Sequence, residues 1–242
     1  MRRPRLLLST GSLCLLALFA ACSGKLAKQT GLSAADLFSR GQQKFAAKKY
    51  ADAIEAYQVF LERFPTSPLA AKAQLGLAEA RMENKDDIEA EVAYDDFVRL
   101  YPADENVPYA LYRKGELLGR QSRNPARDQT KTQEAIKAYQ QSREKSPSGA
   151  YAEKAAAQIR ELRNRLAEQN LLVVNHYLRR KHYASAEARA RRTLSDYPDA
   201  EAAPALMSRL AEVLEKQGKK AEAAEVLKIR EEKYPASGKK KP

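Results

Sequence analysis

The sequence predicts an all-α fold, a right-handed solenoid of about five helical hairpins, and three observations lead to it. The 242 residues are rich in Ala, Glu, Lys, Leu, Gln and Arg, which are good helix formers, and no alternating Val/Ile/Thr-rich run indicates a strand. One proline-ended stretch recurs five times along the chain. A second stretch with the apolar periodicity of a helix precedes each copy.

The recurring stretch first reads AIEAYQVFLERFP and then AEVAYDDFVRLYP, with an Ala placed 12 residues before the final Pro in all five copies. Positions 0, 4 and 7 share one helix face, so the small Ala admits a neighbouring helix and the larger side chains fill the seam. The residue before a proline is pushed out of the helical region. Each copy is therefore a helix that ends at its proline, at Pro65, Pro102, Pro147, Pro198 and Pro235.

The preceding helices are predicted at Ala34 to Ala47, Ala70 to Glu83, Tyr109 to Arg120, Leu171 to Arg180 and Ala205 to Gln217. Each pairs with the proline-ended helix that follows, giving an antiparallel hairpin of about 34 residues. Ala, an aromatic residue and Pro at fixed offsets are the signature of tetratricopeptide repeats. Stacking such hairpins gives a solenoid with a concave groove. We therefore expect a tetratricopeptide-like solenoid over residues 34–235.

Two units depart from the regular period, because the five prolines are 37, 45, 51 and 37 residues apart. In the third unit the polar stretch from Gly119 to Gln133 has no apolar period and predicts a long loop. In the fourth unit the excess is a segment from Tyr151 to Glu168 with core spacing, which predicts an extra helix. Residues 236–242 form a basic tail that we expect to be disordered.

The first 21 residues are typical of a secretion signal, with three Arg, no acidic residue and a short apolar run. The signal ends in LFAAC, which resembles the lipobox of bacterial lipoproteins and predicts acylation of Cys22. Residues 22–33 would then be a lipidated linker. Ser23, in place of Asp, favours the outer membrane with the chain facing the periplasm. The alternative is an ordinary cleaved signal that leaves Cys22 as a free thiol.

The mature chain remains basic after the signal is removed. Without its three Arg, 40 of the 43 basic residues face 31 acidic ones, a net charge of +9. Behind a secretion signal this charge favours anionic lipid, cell-wall polymer or an acidic protein surface, and it argues against nucleic acid.

Catalytic and metal-binding patterns are missing from the sequence. The two histidines, His176 and His182, have no metal-ligand partner at useful spacing, and no glycine-rich phosphate loop is present. The mature chain offers no cysteine nucleophile once Cys22 is acylated. We therefore predict a protein that is not an enzyme and has no cofactor.

Two surfaces are candidates for binding. Repeat register places a set of first-helix side chains toward the groove, where an extended peptide could lie, although some of them could instead pack between repeats. They are Phe38, Gln42, Phe45, Lys72, Leu75, Glu79, Tyr109, Tyr112 and Glu116. The second surface is a basic cluster in the fourth unit, suited to an acidic partner unless its members only form a solvated face. Its candidate residues are Arg179, Arg180, Arg189 and Arg192, with Lys181 and Arg191 beside them.

The chain resembles the ComL/YfiO family, the lipoprotein subunits of the outer-membrane β-barrel assembly machinery. The resemblance covers the lipobox and the repeats, and its most specific parts are the lengthened fourth unit, YALYRKG at residues 109–115, RDQT at residues 127–130, and RTLSDYP at residues 192–198. It implies a non-catalytic scaffold. The C-terminal half would bind POTRA domains of the barrel-bearing subunit, and the N-terminal groove would meet unfolded barrel precursors. Other assembly lipoproteins are further candidate partners.

In this family an Arg seven residues before the Asp-Tyr-Pro of the fourth unit serves the POTRA contact, and the resemblance carries that role to Arg189. Two other functions remain open at the level of sequence. One is a pilotin-like lipoprotein for a pilus secretin, whose repeats keep a more regular period. The other is a cell-wall-binding periplasmic repeat protein, which the net charge favours.

Overall fold

The computed structural model describes residues 31–121 and 129–235. The predicted signal at residues 1–21, the acylated Cys22 and the basic tail at residues 236–242 lie outside this part. The structure divides the chain into two compact units, with the boundary after Ala93, and each is treated by itself. The continuous solenoid predicted over residues 34–235 stays a prediction.

The first unit contains α1 and α2, then α3 and the beginning of α4. The bounds of these helices are Ala34–Ala46, Tyr50–Arg63, Ala70–Asn84 and Asp87–Leu100. Helix α1 starts with a capping box, since Asp36 N donates to Ser33 Oγ over 3.2 Å and Ser33 N donates back to Asp36 Oδ2 over 3.3 Å. Lys44 Nζ then ties α1 to Asp52 of α2 over 2.8 Å. Gln74 Nε2 donates to Ala93 O over 3.2 Å and joins α3 to α4.

The second unit continues from Tyr94 through the rest of α4 and six further helices, α5 to α10. Their bounds are Val107–Gln121, Thr130–Lys145, Ala152–Arg179, Tyr183–Asp196, Ala203–Lys216 and Lys220–Lys233. Consecutive helices pack as antiparallel pairs α5/α6, α7/α8 and α9/α10. The described helices thus form five hairpins, which confirms the predicted all-α, tetratricopeptide-like fold. None of them combines the length and apolar character that a bilayer-spanning helix needs.

The prolines end their helices as predicted. The five second helices stop at Arg63, Leu100, Lys145, Asp196 and Lys233, each two residues before its Pro. The residue between has left the helical region, with φ/ψ of −131°/51° at Phe64 and −130°/67° at Tyr234. The steric effect of proline on the preceding residue therefore sets all five boundaries.

The repeated Ala and aromatic positions form the core. In the first copy Ala53 and Phe60 are 0% exposed and Tyr57 is 4% exposed. The third copy has Ser142 where the first two have Phe, yet this side chain is buried too, and its Oγ donates to Pro108 O of α5 over 2.7 Å. A hydrogen bond to the neighbouring helix thus replaces an aromatic contact at this position.

The fourth hairpin differs from the prediction. The extra segment expected from Tyr151 to Glu168 is not a separate helix, because it continues into the predicted Leu171–Arg180 helix as the 28-residue α7. No Gly or Pro lies between Ala152 and Arg180, so no local stop signal interrupts the helix. The long loop predicted from Gly119 to Gln133 is wrong at both ends, and its centre, residues 122–128, lies outside the described residues. Helix α5 continues to Gln121 and α6 begins at Thr130, so both ends of the Gly119–Gln133 stretch are helical.

The turns inside the hairpins use a left-handed residue. Lys48, Lys85 and Lys181 have φ of 57°, 70° and 59°, and Gly218 takes φ of 79° at the corresponding turn of the fifth hairpin. A side chain is disfavoured in this region by about 1 kcal/mol relative to Gly. The turns of the first, second and fourth hairpins thus carry backbone strain, which glycine avoids in the turn of the fifth hairpin.

Candidate partner-binding surfaces

The fourth hairpin, α7 and α8, presents the predicted basic residues. Ala186, Ala190 and Thr193 are 0–2% exposed and turn one face of α8 toward α7 and the neighbouring core. Arg189 borders this buried face on the side of Asn170, Arg192 lies further round α8, and both are exposed. This follows from helical periodicity, because residues one position away from a buried stripe turn outward.

Arg189 is held in place without being neutralised. Its Nη1 donates to Asn170 Oδ1 over 3.2 Å, and Asn170 Nδ2 donates to Leu166 O over 2.8 Å. No carboxylate of the described residues pairs with Arg189. The other donors of its guanidinium group therefore remain available to a carboxylate of a partner, which Arg binds in bidentate geometry.

The other members of the predicted cluster do not all lie together. Arg179 and Arg180 are at the end of α7, whereas Arg189 contacts Asn170, nine residues before Arg179 and about 13 Å away along the helix axis. Arg192 is one turn further along α8, is 81% exposed, and lies 3.5 Å from Asp196 Oδ2. The structure thus separates the turn pair, Arg179 and Arg180, from Arg189 and Arg192.

Arg191 serves an internal network and is not a candidate for binding. Its Nε donates to Glu187 Oε1 over 2.9 Å and its Nη2 to Glu222 Oε2 over 2.8 Å, which links α8 to α10. Lys219 Nζ completes the network at 2.8 Å from Glu187 Oε2. The hydrogen bond from Lys219, helped by that from Arg191, lowers the pKa of Glu187 to about 2.

The groove residues predicted in the first unit divide by environment. Phe38 is half-buried, with its ring centroid 6.1 Å from those of Tyr57 and Phe60, and Phe45 stacks edge-on with Tyr50 at 5.5 Å. These two rings pack α1 on α2. Leu75 and Glu79 are also half-buried, whereas Gln42 and Lys72 are exposed and accessible to a ligand.

In the second unit three tyrosines gather at the start of α5 and α7. The Tyr151 ring lies 5.1 Å from that of Tyr109 and 5.2 Å from that of Tyr112. Glu116 accepts a 2.8 Å bond from Arg113, and burial, followed by the charge of Glu116, raises the pKa of Tyr112. A cavity of about 310 Å³ adjoins the rings, lined in part by Tyr109 and Tyr151.

The sequence did not predict two residues of these surfaces, Tyr151 in the tyrosine group and Asn170 beside Arg189. Tyr151 precedes α7 directly, and its place in the aromatic group follows from the packing of α5 against the α6–α7 connection. Asn170, which holds Arg189, lies 19 residues before it and carries no sequence signal.

His176 and His182 are exposed. Within residues 31–121 and 129–235, no group of His, Cys, Asp or Glu is arranged to hold a metal ion.

Comparison with known proteins identifies the family. Residues 31–239 match YfiO, described as an outer membrane lipoprotein. The chain belongs to the YfiO family. This confirms the resemblance seen in the sequence. The YfiO match contains every candidate groove and arginine residue but begins after Cys22, which lies outside the described residues as well.

Curated relatives of this YfiO-family chain are named outer membrane protein assembly factor BamD. The protein of Neisseria meningitidis serogroup A is 27% identical over 211 residues, covering 83% of this chain and 79% of the relative. That of Vibrio cholerae is 29% identical over 198 residues, covering 78% and 82%. That of Haemophilus influenzae is 25% identical over 231 residues, covering 91% and 88%.

Among solved structures, the TPR2AB-domain:pHSP90 complex of yeast Sti1 covers 84% of this chain and 78% of its own, with 18% identity and a TM-score of 0.44. A thermophilic TPR protein of Thermus thermophilus covers 85% and 93%, with 18% identity and a TM-score of 0.41.

Proposed function

We propose that this chain is a non-catalytic scaffold in outer-membrane protein assembly. The observation that carries the proposal is the YfiO-family match over residues 31–239, with curated relatives named as assembly factors. An anchor on Cys22 would hold the chain at the outer membrane, facing the periplasm. Buried acyl chains contribute about 0.8 kcal/mol per methylene, and two or more chains make such anchoring stable.

The barrel-bearing subunit is the proposed main partner, bound through its POTRA domains by the fourth hairpin. Arg189 is the proposed centre of this contact, since it is exposed, oriented by Asn170 and lacks an acidic neighbour among the described residues. Arg192 would flank it. Arg179 and Arg180 lie about 13 Å away along α7, so they would stand outside this contact.

Arg189→Glu tests this contact. Reversing the charge at a desolvated interface costs several kcal/mol, so capture of the barrel-bearing subunit from solubilised envelopes should fall at least tenfold. Arg143→Glu is the matched control, because Arg143 is exposed on α6 and has the same charge. Equal capture by the Arg189 variant and wild type would reject the contact.

Unfolded barrel precursors are the proposed ligands of the groove in the first unit. Of the predicted residues there, Gln42 and Lys72 are exposed and do not serve the α1–α2 packing. A photo-crosslinking residue at Lys72 should capture an unfolded precursor, whereas one at Gln58, exposed on α2, should not. Similar crosslinking at both positions would show that contact is not confined to the groove.

The anchor has its own test. Cys22→Ala should release the chain from membranes into the soluble periplasmic fraction while leaving its helical content unchanged. Fractionation with membranes at the wild-type level would remove the lipid anchor from the proposal but leave the Arg189 contact in place.

A further inference from the structure

A polar cavity of about 350 Å³ lies between α7 and α9, at the end of α7 where the chain turns into α8. It belongs wholly to the second unit and is distinct from the Arg189 surface. Its wall combines residues of three helices, namely Asn175, Leu178, Arg179, Tyr183, Arg209, Glu212 and Lys216.

The charge of this cavity is unbalanced. Three cations line it against one carboxylate, and that carboxylate, Glu212, is already paired with Arg209 over 2.8 Å. Arg179 and Lys216 are exposed, and their side chains form no hydrogen bond or ion pair with any described residue. Two positive charges therefore face the cavity without compensation. Arg180 and Lys181, both exposed in the adjacent turn, add to the positive potential.

Helix dipoles explain part of this arrangement but not all of it. Arg179 and Lys216 end α7 and α9, where a cation stabilises the helix by about 0.3–1 kcal/mol. Arg209 lies in the middle of α9, where the dipole gives no such benefit. Its ion pair with Glu212 accounts for the position of Arg209, but neither effect requires the two uncompensated helix-end cations, Arg179 and Lys216, to meet in one cavity.

The donors define the ligand. Two guanidinium groups, an ammonium group, the Asn175 amide and the Tyr183 hydroxyl can all donate into the same space from three helices. Such a set fits a tetrahedral anion with several acceptor oxygens better than a planar carboxylate. The cavity is larger than a phosphate ion, and Leu178 and Tyr183 give it an apolar wall beside the donors.

We propose that this cavity binds a phosphate ester, with Arg179, Arg209 and Lys216 on the phosphate and Leu178 and Tyr183 against the esterified group. The phosphate ester can come from a phospholipid headgroup or from a soluble compound such as glycerol phosphate. The proposal does not depend on the partner contact of Arg189.

Calorimetric titration of glycerol phosphate into the full chain, kept in neutral detergent, tests the chemistry. Loss of two charge-assisted contacts in Arg179→Gln/Lys216→Gln should weaken binding at least about tenfold. Lys137→Gln/Arg143→Gln removes the same two charge types from exposed positions on α6 and should change the dissociation constant by less than about twofold. Unchanged circular dichroism would show that both variants fold.

A second arm separates the two sources. The full chain is reconstituted in phosphatidylcholine vesicles with or without an equal amount of phosphatidylglycerol, and backbone hydrogen exchange is followed around Arg179 and Lys216. Protection that requires phosphatidylglycerol identifies a lipid headgroup, and binding of glycerol phosphate without such protection identifies a soluble ester. Absence of both overturns the proposal. Equally tight binding of a peptide of alternating Glu and Leu also overturns it, in favour of an acidic protein segment.

Discussion

Gly115→Ala should destabilise the third hairpin, although alanine is the better helix former. Gly115 is buried in α5, where an added Cβ would lie 2.6 Å from Cε1, 2.7 Å from Cδ1 and 2.8 Å from Cζ of Tyr139. The Tyr139 ring is 1% exposed and has the Tyr112 ring at 5.4 Å, so it has little room to retreat. The new methyl group therefore overpacks the contact between α5 and α6.

Two opposing terms set the magnitude. Overpacking a close-packed site costs about 2–3 kcal/mol, and replacing Gly by Ala within a helix returns about 1 kcal/mol. The expected net loss is about 1–2 kcal/mol, which corresponds to a fall of about 2–8 °C in the unfolding midpoint for a chain of this size.

Urea unfolding followed by circular dichroism measures this loss, and Gly119→Ala provides the control. Gly119 lies one turn later on α5, and no described atom lies within 4 Å of a Cβ there, so its replacement should leave stability unchanged or raise it by up to about 1 kcal/mol. The double variant Gly115→Ala/Tyr139→Leu removes the Tyr139 ring. Compared with the two single variants, it should give a coupling energy between the two positions of at least about 1 kcal/mol. Equal stability of Gly115→Ala and Gly119→Ala would contradict close packing of Gly115 against the Tyr139 ring.

Three further predictions concern stability. Glu187→Gln should cost about 1–2 kcal/mol at pH 7, because it weakens the bonds to Lys219 and Arg191. The pKa of Glu187 is lowered from 4.5 to about 2, so this stabilisation is present above about pH 4.5 and is lost as the pH falls through 2. In thermal melts across that range, the unfolding midpoints of wild type and Glu187→Gln should converge. Lys85 and Gly218 both occupy turn positions with positive φ. Lys85→Gly should therefore raise the free energy of unfolding by about 0.5–1 kcal/mol, and Gly218→Ala should lower it by about 1 kcal/mol. A urea midpoint that moves in the opposite direction in either variant would contradict the strain assigned to these turns. Ser142→Ala should cost about 1 kcal/mol by removing the bond to Pro108 O, whereas Ser148→Ala, at an exposed position, should have no effect on the same midpoint.

Most of the helical architecture could be predicted from the sequence because its causes are local. The proline effect acts on the adjacent residue, and the Ala and aromatic spacing acts within one helix, so the five helix ends and the buried face of each copy follow directly. The continuous α7 could have been inferred as well. Its 28 residues contain no Gly or Pro, but the expected repeat period led to a break that the residues themselves do not encode.

The candidate sites were less predictable, because they depend on distant partners. Phe38 and Phe45 follow the groove register, yet aromatic neighbours on α2 engage them in packing. The repeat register gives the face of a helix on which a residue lies, but it does not show whether side chains of a neighbouring helix cover that residue. The exposed Gln42 and Lys72 share that register and remain accessible.

By itself the sequence determined that the chain is a series of proline-ended helical hairpins, since helix periodicity and proline sterics operate over a few residues. Tertiary structure decided which arginines of the fourth hairpin are available to a partner. Arg191 is tied to Glu222, 31 residues away, and Arg189 is held by the neutral Asn170, 19 residues away. Both are arginines on α8, two positions apart, and only the chain folded around them makes one an internal tether and the other an uncompensated surface charge.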